Sequence, residues 1–245
     1  MRYKLGKLAP KLDERTLKFK SYFAQLPPLP TSVDWTGKVP NWLMLGNDQY
    51  GDCTCASMGH LEMLWTSQTS TEYIPTDTET LAAYTNISGF NPADPNTDNG
   101  AAELDVLNYW RKTGFGSRPP ILGYMSIHPS EIQHVKASIA LFGGCYIGIQ
   151  VPSNAQDAFS NGQPWTDTTC NDIEGGHAIP LVGYDENYFT CITWGATQKI
   201  SYAWLAKYME ECYAVLSPDW LVEDVGSAPS GFNLTQLQTD LNIIS

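Results

Sequence analysis

The chain has 245 residues, 42% of them hydrophobic and 16% charged, and its 14 Lys and Arg against 26 Asp and Glu give a net charge of −12. That length can bury one large core or two halves sharing a cleft, and the composition is that of an ordinary globular protein without internal repeats or low-complexity tracts. An acidic body repels phosphate backbones, no apolar run is long enough to span a bilayer, and the N-terminus lacks the apolar core of a secretory leader. Neither nucleic acid nor membrane is therefore an expected partner, and the expected location is cytoplasmic or unassigned.

The charge is uneven. Residues 1–20 hold Arg2, Lys4, Lys7, Lys11, Arg15, Lys18 and Lys20 beside only Asp13 and Glu14, leaving seven basic against 24 acidic side chains, −17, in the rest. Such an arm (residues 1–28) has three open fates: a clamp on its own acidic body, a contact with an acidic partner, or a solvated tail. Phe19, Tyr22, Phe23 and Leu26 follow i, i+3, i+4, i+7, which predicts a short docked helix, and "LPPLPTSVDW" (26–35) then predicts extended chain.

Next comes "GNDQYGDCTCASMGH" (46–60), a Gly/Asp-rich loop running into a helix that reaches the Ser/Thr-rich stretch at 66–71. "TDTETLAAYTNISGF" predicts a helix opened by Thr76 or Asp77, "NPADPNTDNG" a loop, and "AAELDVLNYWRKTGFG" an amphipathic helix closed by Gly114. "HPSEIQHVKASIALFG" predicts a helix capped by Ser130. Strands are expected at 144–151, 177–184, 188–194 and 198–204, the second and third forming a hairpin about "GYDENYF", with a short helix at "AWLAKYMEE". A helical half (29–118), a sheet-rich half (119–217) and an extension (218–245) predict an α+β protein with a cleft between its halves.

Cys53 and Cys55 could form a metal clip, a redox pair, or a nucleophile beside a passive neighbour. Zinc needs about four ligands in spaced pairs, and the four histidines (60, 128, 134, 177) are scattered, so no metal or other cofactor is expected. Bridging residues i and i+2 strains the backbone, which disfavours the redox pair. A thiol at a helix N-terminus, by contrast, has its thiolate stabilised by the free N–H groups there. "EGGHAIPLVGYDENYFTCITWG" offers the partner, His177, at the start of a strand behind two glycines. The remaining cysteines read as reduced thiols, 145 and 191 buried in strands, with 170 and 212 able to pair only in an oxidising compartment.

From about residue 29 to 215 the sequence resembles the papain-like cysteine peptidases. "LPTSVDW" resembles the start of a mature chain, "Gly51-Asp52-Cys53" also resembles the Gly-Asp-Cys-Trp motif of calpains, and "TDTETLAAY" a helix of the family. "DNGAAELDVLNYW" stands where the family has its substrate strip, "ALFGGCYIGIQV" its following strand, "GGHAIPLVGYD" its histidine strand and "TWG" its Asn-Ser-Trp-Gly segment. The resemblance implies a two-lobed fold and a cysteine peptidase or amidase acting on a peptide or amide in the inter-lobe cleft. It places the nucleophile on Cys53, the general base on His177, the oxyanion donor on Asn47 (a glutamine in the family) and the orienting residue on Thr193 (an asparagine there). Thr193 shares strand parity with Cys191 and Phe189, so it can face the imidazole. Gly100, Ala101 and Ala102, with Trp194 covering the His–Thr bond, are the implied substrate-binding positions. If Gln49 is the oxyanion donor instead, the family's spacing moves the nucleophile to Cys55; the ungapped count favours Cys53. The altered amide and third residue keep a rival open, a catalytically silent scaffold serving binding or assembly, in a cell or a particle.

His60, two turns after Cys53, reads as a core or rim histidine, His128 as a loop residue and His134 as a helix-surface residue. Asp94, Asn96 and Asp98 imitate a calcium-loop spacing, but capping of the next helix by Asp98 or Asn99 is the preferred reading.

Overall fold

A computed structural model describes residues 2–23, 25–69 and 72–220. The extension from 221 onward lies outside the described residues. The arm runs extended from residue 2 into a single turn of helix, α1 (Phe19–Tyr22), shorter than the spacing predicts; Phe19 is nonetheless fully buried, stacked on Phe23 and packed near Phe142. A two-residue strand, β1 (Val33–Asp34), follows the prolines.

The helical half is built around α2 (Cys53–Thr69), in which every residue from Cys53 to Thr66 is buried. A helix enclosed on all sides must satisfy its polar groups internally. Glu62 accepts from Trp110 Nε1 at 2.9 Å, His60 Nε2 meets the Leu43 carbonyl at 2.7 Å, and Thr66 returns its hydroxyl to the Glu62 carbonyl at 2.7 Å. α3 (Asp77–Ser88) opens at Thr76, one of the two expected residues, through a reciprocal capping box with Glu79, and ends at left-handed Gly89. α4 (Glu103–Thr113) ends at Gly114 as expected, but its N-cap is Ala102, with no side-chain cap. Asp98 is otherwise engaged, as described below.

The sheet half holds β2 (Gly123–Ser126), α5 (Ile132–Phe142), β3 (Cys145–Pro152), α6 (Ala155–Ser160), β4 (Ile173–Tyr184), β5 (Tyr188–Thr193), β6 (Ala196–Ser201), α7 (Tyr202–Tyr208) and β7 (Met209–Leu216). All pairings are antiparallel in the order β2-β7-β3-β4-β5-β6, with β1 on β4. The β4–β5 hairpin is present, its turn held by Asp185 Oδ1 accepting from the backbones of Asn187 and Tyr188.

Four local expectations are corrected. α5 starts after Glu131 without a side-chain cap, because Ser130 bonds His128 Nδ1 instead. His134 is half-buried, its ring paired with Glu131 and tilted against Phe19. The strand expected at 198–204 stops at Ser201, whose hydroxyl caps α7. β2 and β7 have no counterpart in the sequence reading: "MEE" looks like the end of a helix, yet Glu210 and Glu211 lie on β7. All six cysteines are free thiols, and Cys212 faces Cys145 rather than Cys170. No helix among the described residues is long and apolar enough to cross a membrane.

Candidate active site

α2 and β4 meet at the front of the molecule. Ser57 Oγ donates to the Ala178 carbonyl at 2.7 Å and Tyr146 Oη to the Thr54 carbonyl at 3.0 Å, pinning the first turn of α2 beside the residue that follows His177. Cys53 is the first residue of α2, and the backbone amides of Ala178 and Gly6 lie near enough to its sulfur to favour the thiolate. Burial outweighs them, with Cys53 only 1% exposed, and pushes the thiol up to about 12.

His177 comes from β4, opposite Ile149 of β3, and its Nε2 lies 2.8 Å from Thr193 Oγ1. Its Nδ1 is buried without a hydrogen-bond partner. Trp194 stacks on the imidazole with centroids 4.8 Å apart and planes 21° from parallel. Thr193-Trp194-Gly195-Ala196 is the tight turn joining β5 to β6. Trp194 has φ 45°, a left-handed conformation that tight hairpins demand and a bulky residue rarely adopts. That turn lays the indole flat over the ring. Burial, aided by the nearby His60, lowers the His177 imidazole to about 3, so it is neutral in this state.

Asn47 is buried, its Nδ2 donating to the Tyr50 carbonyl at 3.1 Å and reaching the Lys4 carbonyl of the arm at 3.5 Å. Gln49 is exposed and Cys55 is fully buried within α2. Asp52, just before Cys53, is enclosed, and burial holds its carboxyl well above the usual range. Gly100, Ala101 and Ala102 line the opposite side, all buried. Asp98 takes the backbone N–H of Gly51 at 3.0 Å and the Tyr84 hydroxyl at 2.8 Å, while Tyr84 Oη accepts from Gly100 N at 2.8 Å. This side chain, placed in a calcium-loop pattern by spacing alone, couples the loop before Cys53 to the 100–102 strip. Asp94 is spent on the backbone and amide of Asn96, and no group of three or more His, Cys, Asp or Glu among the described residues is arranged to hold a metal.

The space between these walls is filled by the arm. Lys7 N donates to the Gly176 carbonyl at 3.1 Å, Leu8 N to the Ala101 carbonyl at 3.0 Å, and Ala101 N to the Gly6 carbonyl at 2.9 Å. Gly6 passes so close to Gly51 and Gly100 that a side chain at Gly6 or at Gly100 would overlap backbone atoms. Tyr3 stacks on Trp194 at 4.8 Å and 11°. The Lys7 ammonium is fully buried, 2.8 Å from Glu210 and 3.0 Å from Glu211. Elsewhere the arm pairs Arg2 with Asp157 and Glu174, Lys11 with Asp105 and Lys20 with Glu131. Net charge hints at such contacts, but nothing in the sequence singles out Lys7 or its carboxylates as part of the site; Gly6, alone in a basic stretch, was the available signal.

This is the fold of the papain-like cysteine proteases. Xylellain, a cysteine protease from Xylella fastidiosa, matches with a TM-score of 0.67 over 89% of this chain and 98% of its own, at 21% identity. The Carica candamarcensis cysteine protease CMS1MS2, in complex with E-64, matches at 0.55 over 77% of this chain and 99% of its own, at 17% identity. Digestive procathepsin L 3 of Tenebrio molitor larval midgut matches at 0.57 over 84% and 75%, at 15% identity. No family model and no curated protein matches the sequence itself. Identities this low speak for the shared fold alone.

Proposed function

We propose that the chain is a cysteine peptidase or amidase held in a closed state by its own arm. The observation that carries this reading is the convergence on one peptide segment of Cys53, the His177–Thr193–Trp194 group and the Asn47 amide, the positions the papain-like resemblance singles out. In the productive state the Nε2–H of His177 donates to Thr193, leaving the Nδ1 lone pair to take the Cys53 proton. The sulfur bonds to the substrate carbonyl carbon, and Asn47 with the Cys53 backbone N–H receives the oxyanion. The C–N bond breaks as His177 returns the proton to the leaving amine. Water, deprotonated by His177, then cleaves the thioester and restores the thiol. Asn47 fits the oxyanion role because it is buried and aimed at an arm carbonyl, whereas Gln49 faces solvent. Cys55 lies deeper in the packed helix, which supports Cys53 as nucleophile.

With the arm seated, both reacting groups are neutral and covered, so peptide turnover requires the arm to leave. The test compares the full chain, Lys7→Ala and Lys7→Ala/Cys53→Ala on fluorogenic peptide amides, with iodoacetamide labelling mapped by mass spectrometry. Turnover and labelling at Cys53 should rise in Lys7→Ala, and turnover should vanish in the double variant. Unlabelled Cys53 without turnover in Lys7→Ala would leave a silent papain-like scaffold.

A further inference from the structure

Lys7 does more than add a charge to the arm. Its ammonium sits where three carboxylates converge: Glu103 from the first turn of α4, and Glu210 and Glu211 from β7. Glu103 is fully buried with neither carboxylate oxygen hydrogen-bonded, and Glu211 is half satisfied by the Tyr213 hydroxyl at 3.0 Å. The stem of the lysine lies against Gly148 of β3, where a Cβ would overlap Lys7 Cε. Burial opposes the charge on Lys7, yet the carboxylates prevail and its pKa is raised; Glu103 and Glu211 are raised by burial. Two enclosed carboxyls, Glu103 and Glu211, with the part-exposed Glu210 at the rim, leave lone pairs unmet unless a cation enters, so the pocket is built for one.

Its place defines whose cation that is. The Lys7 backbone bonds the Gly176 carbonyl beside His177, Leu8 bonds Ala101, and the preceding residue, Gly6, lies at the Cys53 sulfur. Resting on the peptidase reading above, we propose that the Glu103–Glu210–Glu211 pocket selects a lysine or arginine side chain of the substrate, one residue from that presenting its carbonyl to Cys53, and that Lys7 occupies it as a resident stand-in. A leucine there would desolvate the carboxylates without pairing them, and a glutamate would add a fourth negative charge.

The experiment uses the full chain carrying Lys7→Ala and internally quenched peptides holding Gly-X, the order of Gly6-Lys7, or X-Gly, the order of a substrate running the opposite way, with X as Lys, Leu or Glu. Lys should exceed Leu in kcat/KM by about tenfold or more, and Glu should fall below Leu. Adding Glu103→Gln and Glu211→Gln should bring Lys down to Leu or below. Should that variant not fold cooperatively, Gly148→Ala, which fills the floor of the pocket, should depress Lys more than Leu. Leu cleaved as well as Lys, with Cys53 labelled by iodoacetamide, overturns the pocket and leaves the peptidase reading intact. Absent any cleavage, Lys7→Ala/Cys53→Ala is melted with the same peptides. Stabilisation by the Lys peptides over the Leu peptides, in either order, upholds the pocket as a binding site while the peptidase reading falls, and equal melting temperatures overturn both.

Discussion

Two polar groups lie enclosed on either side of the same arm segment, and burial treats them differently. His177 and Cys53 have no charge partner, and both are driven to their neutral forms. The Glu103–Glu210–Glu211 pocket is as dry around Glu103, but Lys7 brings the opposite charge, and its ammonium stays ionised against its own desolvation. Desolvation is thus common to both sites, and what separates them is the side chain the arm delivers. One segment silences the reacting pair by covering it and satisfies the acidic pocket by filling it.

The harshest way to break this contrast is Lys7→Glu, which puts four carboxylates together. Removing one partner of a buried pair costs about 3–5 kcal/mol, so iodoacetamide labelling of Cys53 should speed up roughly a hundred- to several thousandfold as the arm leaves. A smaller loss follows at the wall that both sites share. Asp98→Ala leaves the Gly51 N–H and Tyr84 hydroxyl without their acceptor, and should lower unfolding stability by about 2 kcal/mol in urea titration.

The neutral side of the comparison is sharpened by pH. Burial lowers His60 from an ordinary 6.5 to about 4, so the unfolded chain takes the proton first. Its contribution is unchanged above pH 6.5 and destabilises the fold increasingly as pH falls toward 4. His60→Gln keeps a donor for the Leu43 carbonyl and removes that titration. The stability difference between variant and wild type should therefore shift in the variant's favour by about 1.4 kcal/mol per pH unit across that window. Urea midpoints that stay parallel from pH 7 to pH 4.5 would show that His60 is not held neutral.

Thr193→Val removes the acceptor at 2.8 Å while keeping the shape. In a Lys7→Ala chain, kcat should drop about three- to tenfold with little change in KM, and Thr193→Asn should restore it. The smallest effect belongs to the exposed part of the arm. Asp13 and Arg15 form a bidentate pair in solvent, and Arg15→Ala should leave both melting temperature and Cys53 labelling unchanged.

Much of the fold was legible because its signals are short-ranged. Thr76 opens α3 just before its first helical residue, and Gly114 ends α4 where the apolar stripe stops. The face of Thr193 toward His177 could be read from strand parity, since alternate residues along β5 share a side. Asn47 and Cys53 came from counting along a resemblance, and the geometry around the arm is compatible with that count. β7 was missed for a physical reason: paired glutamates oppose a buried strand until Lys7 is seen among them. Asp98 was misassigned to a helix cap because the Gly51 N–H it accepts is 47 residues away.

By itself, then, the sequence determined the start of α3 and the end of α4, the hairpin, the excess of negative charge on the body and the α+β division, all of which rest on residues a few positions apart or on simple sums of charge. Only the tertiary structure decided that the arm fills the cleft, that Cys53 and His177 are uncharged there, and that residues 7, 103, 210 and 211 share one pocket. Desolvation and convergence depend on everything packed around a group, and no stretch of chain carries that information alone.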